Sequence, residues 1–97
     1  MKNYIDRNKE RFVPELFELL RIPSVSSMAA HQPDMEKAAA KDAEFLRAAG
    51  CERAQVYPTK GHPVVFAEKI IDKKLPTILV YAHYDVQPAD PVNLWKT

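Results

Sequence analysis

The sequence has little cysteine, no excess of charge of either sign and no long apolar run, and each absence excludes a class of protein. One cysteine in 97 residues allows neither an intrachain disulfide nor a cysteine-based zinc knuckle. Fourteen basic and 13 acidic residues leave a net charge of +1, which gives no electrostatic footprint for nucleic acid or anionic lipid. No apolar run approaches the roughly 20 residues that span a bilayer, and residues 1–12 are too charged for a signal peptide. We expect a cytoplasmic chain with no nucleic-acid or membrane partner.

What remains is the composition of a folded protein, with 46% hydrophobic and 28% charged residues. An amphipathic helix is predicted over Tyr4–Arg21, where apolar residues recur at three- and four-residue spacing. Pro14 lies inside this segment and predicts a kink or a restart near residues 10–14. The Ile22-Pro23 pair ends the helix, because the residue before a proline avoids the α region.

A second helix is predicted from Pro33 to Ala49. Proline suits a first helical position, where its missing N–H costs nothing. Gly50 supplies the left-handed residue that commonly ends a helix. The loop between the two helices covers residues 22–32.

Three strands are predicted after the helices, at residues 53–57, 64–71 and 77–82. The connection between the first two is short, so they form an antiparallel hairpin. The third is apolar on both faces, which is typical of a central strand with a neighbour on each side. The chain offers it one neighbour at most, and an open apolar edge invites pairing with another chain. We therefore interpret residues 1–97 as the N-terminal portion of a larger domain rather than a complete compact protein.

The candidate chemistry follows the third strand, in His83 and Asp85. Residues two apart on a strand share a face, so the imidazole and the carboxylate lie together. A neutral imidazole can bind a divalent metal through one nitrogen while a carboxylate holds the other. The same pair also occurs as a plain structural contact or as loop polarity, and one histidine does not make a site.

The segment Tyr-Ala-His-Tyr-Asp-Val-Gln-Pro at 81–88 resembles the first metal-binding motif of the zinc-dependent dipeptidase, aminoacylase and carboxypeptidase-G-like metallopeptidases. Its Gln-Pro ending and the downstream Trp95 look most like the dipeptidase (carnosinase-like) branch. Two further segments are similar in order, Leu-Leu-Arg-Ile-Pro-Ser-Val-Ser at 19–26 and Gly-His-Pro-Val-Val at 61–65. The resemblance therefore runs over essentially the whole chain. Ala82 departs from it, because the family usually has glycine there.

By position, the resemblance implies that His83 is a metal ligand and that Asp85, a catalytic-site residue, orients it. It also implies two zinc ions, with manganese possible, that activate a water for hydrolysis of short peptides. The family's other ligands and its general-base glutamate follow this motif, so the parent enzyme needs residues beyond Thr97 and the 97-residue chain alone is expected to be inactive. The parent is expected to be a homodimer.

The remaining candidate residues have plainer interpretations. His31 is interpreted as a solvated loop histidine, with capping of the helix or contact with a substrate as the alternatives, and His62 is a turn residue that packs against the hairpin. Cys51 is a small apolar filler, because a reactive thiol needs a lowered pKa. Tyr84 either lines the cleft or covers the strand ends.

The sequence thus predicts an α/β fold in which two N-terminal helices and three strands form part of a larger mixed-sheet metallopeptidase catalytic domain. The chain is predicted to be the N-terminal segment of a metal-dependent dipeptidase. The alternative is a stand-alone, non-catalytic α/β module that binds a partner through the open strand edge. If the chain folds alone, it is also expected to associate with itself through the third strand.

Overall fold

The computed structural model describes residues 1–96 and has two helices followed by one β-hairpin. Helix α1 spans Lys2–Leu20 and helix α2 spans Gln32–Ala48. Strands β1, Arg53–Tyr57, and β2, Val64–Glu68, pair in antiparallel register, with Val56 opposite Val65. Single 3₁₀ turns lie at Ala29–His31 and Val92–Leu94. The α/β class is confirmed. No helix within the described residues is both long enough and apolar enough to cross a membrane.

Helix α2 supplies most of the core. Its buried residues are Met35, Ala38, Ala39 and Ala43. Their spacing of three to four residues places them on one face of the helix, which packs against the hairpin. Ala54 is the buried residue of β1 on the opposite side of this contact. Because alanine side chains are short, the helix and the sheet can approach closely.

Both ends of α2 follow local signals in the sequence. Pro33 lies in the first turn, as predicted. Gly50 has a φ of +87°, and the Cys51 N–H donates to the Leu46 carbonyl while the Gly50 N–H donates to Arg47. These two bonds form the glycine-dependent helix stop known as the Schellman motif. The predicted left-handed stop is confirmed.

Helix α1 departs from the prediction at Pro14. The helix is continuous from Lys2 to Leu20, so the expected restart near residues 10–14 does not occur. Pro14 removes only the hydrogen bond to the Glu10 carbonyl, and both residues are exposed, so water can bind that oxygen. The helix is amphipathic as expected, but its apolar face is not covered. Its apolar residues Ile5, Val13, Leu16, Phe17 and Leu20 are each 45–56% exposed.

The third strand predicted at residues 77–82 is not seen in the described structure. These residues form no strand, and Ile78, Leu79, Val80 and Tyr81 are 82–92% exposed. Strand β2 is also shorter than predicted and ends at Glu68 rather than Ile71. The reason is the same in both places, because a strand persists only where a neighbour accepts its backbone hydrogen bonds. Strand β1 reaches only to Arg53, opposite Glu68, and the described chain offers residues 77–82 no partner.

Asp42 is a half-buried carboxyl group on α2, and burial raises its pKa. The folded state therefore binds the proton of the Asp42 carboxyl group more tightly than the unfolded chain does. Stability is lost as the pH rises from the unfolded pKa of about 3.9 through the higher folded value. The ionised form consequently destabilises the fold at neutral pH.

We predict that Asp42→Asn is more stable than the wild type at pH 7 and that the difference vanishes below about pH 3.9, where the unfolded carboxyl is protonated as well. Urea unfolding at a series of pH values measures this. Asp6→Asn, at an exposed position on α1, is the matched control and changes stability little at any pH. A gain for Asp42→Asn that persists at low pH would contradict burial of charge as the cause.

Candidate metal site

The segment that follows residues 77–82 is held by the loop after α1. The Val86 N–H donates to the Ser24 carbonyl at 2.9 Å, and Val25 and Val86 form a parallel bridge. The Ser24 hydroxyl, which is buried, donates to the Tyr84 carbonyl at 2.8 Å. Residues 84–86 therefore lie in fixed register beside residues 24–26, although about 60 positions separate them in the sequence.

Tyr84 ties the same segment to the hairpin. Its hydroxyl donates to the Pro63 carbonyl just before β2. The ring is half-buried, and burial raises the pKa of the Tyr84 hydroxyl, with smaller contributions from the charges of Asp42 and Asp85. Of the two predicted roles, the structure favours covering the strand ends over lining the cleft.

Asp85 lies between a hydroxyl and an imidazole. Its Oδ2 accepts a hydrogen bond from the Ser26 hydroxyl at 2.5 Å, and its Oδ1 lies 2.9 Å from Nδ1 of His83. The hydrogen bond from Ser26, followed by that from His83, lowers the pKa of Asp85. The carboxylate is therefore ionised and accepts a hydrogen bond at each oxygen.

His83 has one ring nitrogen engaged and one directed away from its partners. Nδ1 faces the Asp85 carboxylate and also lies 3.2 Å from the Asp85 carbonyl oxygen. With acceptors on that side, the proton of the neutral ring belongs on Nδ1, which leaves the lone pair on Nε2. The side chain is 78% exposed. The arrangement leaves Nε2 available as a ligand for a metal ion.

His83 and Asp85 border a pocket of about 380 Å³. Its lining consists of Ser26, Ser27, His83, Asp85, Val86, Gln87 and Pro88. Within residues 1–96, no group of three or more histidine, cysteine or carboxylate side chains is placed to hold a metal ion. The described chain therefore fits one ligand position of a metal site rather than a complete site.

Sequence reasoning assigned no role at this site to Ser26 or His62. The Nε2 of His62 lies 2.8 Å from the Ser26 carbonyl oxygen, and its Nδ1 is buried without a partner among the described residues. Because a carbonyl only accepts, Nε2 must donate. The signal that could have found both residues was the resemblance itself, since the similar segments 19–26, 61–65 and 81–88 are the three that meet here.

The other candidates lie elsewhere. Nδ1 of His31 lies 2.7 Å from the Asp34 carboxylate at the start of α2, so His31 is half-buried and paired rather than a solvated loop residue. Cys51 is half-buried just after α2.

Sequence comparison shows relatives that match almost all of this chain. It is 32% identical to the Cys-Gly metallodipeptidase of Schizosaccharomyces pombe, over 96% of this chain and 21% of that protein. It is 37% identical to the cysteinylglycine-S-conjugate dipeptidase of Corynebacterium striatum, over 91% of this chain and 19% of that protein. It is 32% identical to the Beta-Ala-His dipeptidase of Rattus norvegicus, over 97% of this chain and 22% of that protein.

The chain thus spans about a fifth of the length of the curated relatives it matches. No family model matches it, and no solved structure matches it significantly. Each match lies in the N-terminal part of the relative. By these similarities, which extend over nearly all of its residues, the chain is related to the metallodipeptidases and corresponds to the N-terminal fifth of the relatives it matches.

Proposed function

We propose that residues 1–97 are the N-terminal portion of the catalytic domain of a metal-dependent dipeptidase. The observation that carries the proposal is the His83 ring, whose Nδ1 is held 2.9 Å from the Asp85 carboxylate while the imidazole stays exposed at the pocket. The relatives named above support the same activity. The parent protein hydrolyses short peptides, dipeptides in particular, and acts in the cytoplasm as a homodimer.

His83 is the metal ligand of this chain and Asp85 is the residue that positions it. The bound metal, two zinc ions or manganese, would lower the pKa of a water molecule and polarise the scissile carbonyl. Asp85 accepts the Nδ1 proton of His83, which fixes the ring's tautomer and increases the basicity of Nε2. Ser26 and Ser27 also line this pocket.

One histidine is not enough for this chemistry. A catalytic zinc ion usually takes three protein ligands and keeps one position for water. The described residues bring no such group together, so the remaining ligands and the general base come from other residues of the parent protein. The 97-residue chain alone therefore neither holds two metal ions nor cleaves peptides.

The exposure of residues 77–82 also supports the proposal. In the parent they form a central strand of a larger mixed sheet. Elements packed on the two faces of that sheet would cover the four apolar side chains that this chain exposes.

The same exposure favours one alternative function. A stand-alone module with this open segment would bind a partner, or a second copy of itself, through strand pairing.

The metal ligand gives the first prediction from the proposed function. In the parent protein, His83→Ala removes a direct ligand and lowers both metal content and kcat/KM. Asp85→Asn keeps the ligand but loses its positioning, so metal affinity falls about 10–100-fold. Metal content by mass spectrometry and zinc affinity by calorimetry measure these effects. His31→Ala, whose ring pairs with Asp34 away from the pocket, is the control. Full metal content in His83→Ala would refute the assignment.

The second prediction concerns the chain alone. The purified 97-residue chain, supplied with zinc or manganese, should show no turnover of a dipeptide such as Cys-Gly in an amine-release assay. Multiple turnovers at a rate proportional to the chain's concentration would overturn the proposal that other residues complete the site.

The third prediction concerns the exposed apolar segment at residues 78–81. Because residues 78–81 are exposed and unpaired, the isolated chain should self-associate with rising concentration in light scattering. Leu79→Lys should reduce this association, whereas Val92→Lys, an equally drastic change at another exposed site, should not. A chain that remains monomeric at high concentration would count against pairing through this segment.

A further inference from the structure

A continuous line of hydrogen bonds connects the loop before β2 to the candidate metal ligand. His62 donates from Nε2 to the Ser26 carbonyl at 2.8 Å. The Ser26 hydroxyl donates to Oδ2 of Asp85 at 2.5 Å, and Oδ1 of Asp85 faces Nδ1 of His83 at 2.9 Å. We propose that Ser26 is a positioning residue which, through Asp85, sets the tautomer and direction of the His83 ring, and that His62 holds Ser26 in place.

The Ser26 hydroxyl supplies what Asp85 needs to act as a fixed acceptor. The terminal torsion of an aspartate is broad, so a carboxylate with a single partner can turn about its Cβ–Cγ bond. A second hydrogen bond on the other oxygen fixes the carboxylate plane. Oδ1 then points at Nδ1 of His83, and the ring keeps its proton on that side. Without the hydroxyl, Asp85 is free to turn and His83 is free to move its proton to Nε2.

Ser26 is itself held from two sides. On one side, the backbone register between residues 24–26 and 84–86 places Ser26 next to Asp85, with the buried Ser24 making two bonds to the same segment. On the other side, the half-buried His62 ring binds its carbonyl oxygen. Nδ1 of His62 is enclosed with no partner among residues 1–96, so the ring binds Ser26 through Nε2 alone.

This inference rests on the proposed role of His83 as a metal ligand, but it makes a separate claim about the metal-free protein. In this inference Ser26 and His62 act on His83 through Asp85 and are not themselves metal ligands. A merely structural role for Ser26 would change stability and leave the His83 tautomer as it is.

The test measures the protonation of each ring nitrogen of His83 by ¹⁵N NMR in the metal-free chain, at a pH where the ring is neutral. The wild type should carry its proton on Nδ1. Ser26→Ala should shift a measurable population to the Nε2–H form, and Ser26→Thr, which keeps the hydroxyl, should restore the wild-type spectrum. Ser27→Ala is the matched control, because Ser27 lines the same pocket from the next position.

Should Ser26→Ala fail to fold, Ser26→Cys provides the same comparison, since its thiol keeps the volume but donates weakly. An Nε2–H form in the wild type, or an unchanged Nδ1–H form in a folded Ser26 variant that lacks the hydroxyl, would overturn the inference.

In the parent protein, loss of the Ser26 hydroxyl should weaken zinc binding by about 10-fold, near the lower end for outer-shell partners. Failure of the parent to bind any divalent ion would instead remove the proposed function and leave the tautomer result unaffected.

Discussion

The site depends on one short backbone pairing, between residues 24–26 and residues 84–86. The Val86 N–H bond to the Ser24 carbonyl and the Ser24 hydroxyl bond to the Tyr84 carbonyl bring two loops together from opposite ends of the chain. Between β2 and Tyr84 the backbone is exposed throughout, so this pairing returns the chain to the body of the fold. His83, Asp85 and Ser26 face one pocket because of it.

The sequence predicted those parts of the fold that are determined by nearby residues, and it failed where distant residues are required. The two ends of α2 follow from Pro33 and Gly50, whose effects act within a few residues, and both predictions are confirmed. The hairpin also follows from its short connection. The third strand was predicted from the apolar character of residues 77–82, but an apolar run forms a strand only if a neighbour is present to pair with it, and that depends on distant parts of a sheet.

The site divides in the same way. The His83–Asp85 contact was predictable, because a spacing of two residues places both side chains together, and the resemblance gave each a role. Ser26 and His62 were not, since their hydrogen bonds join positions 59 and 36 residues apart. Such contacts depend on tertiary packing. The three segments that resemble the metallopeptidases nevertheless meet in space. The resemblance therefore included the residues of the candidate site, although it did not assign roles to Ser26 and His62.

Under the proposed function, the chain contributes one metal ligand, His83, to a site that other residues of the parent protein complete. In this proposal Asp85 holds His83 with Nε2 free for a metal ion. The most direct measurement is a crystal structure of the parent protein loaded with zinc, with the metal located by anomalous scattering. We expect Nε2 of His83 about 2.0–2.1 Å from a zinc ion and Nδ1 still hydrogen-bonded to the Asp85 carboxylate. A zinc site elsewhere, with the His83 ring turned away from the metal, would contradict it.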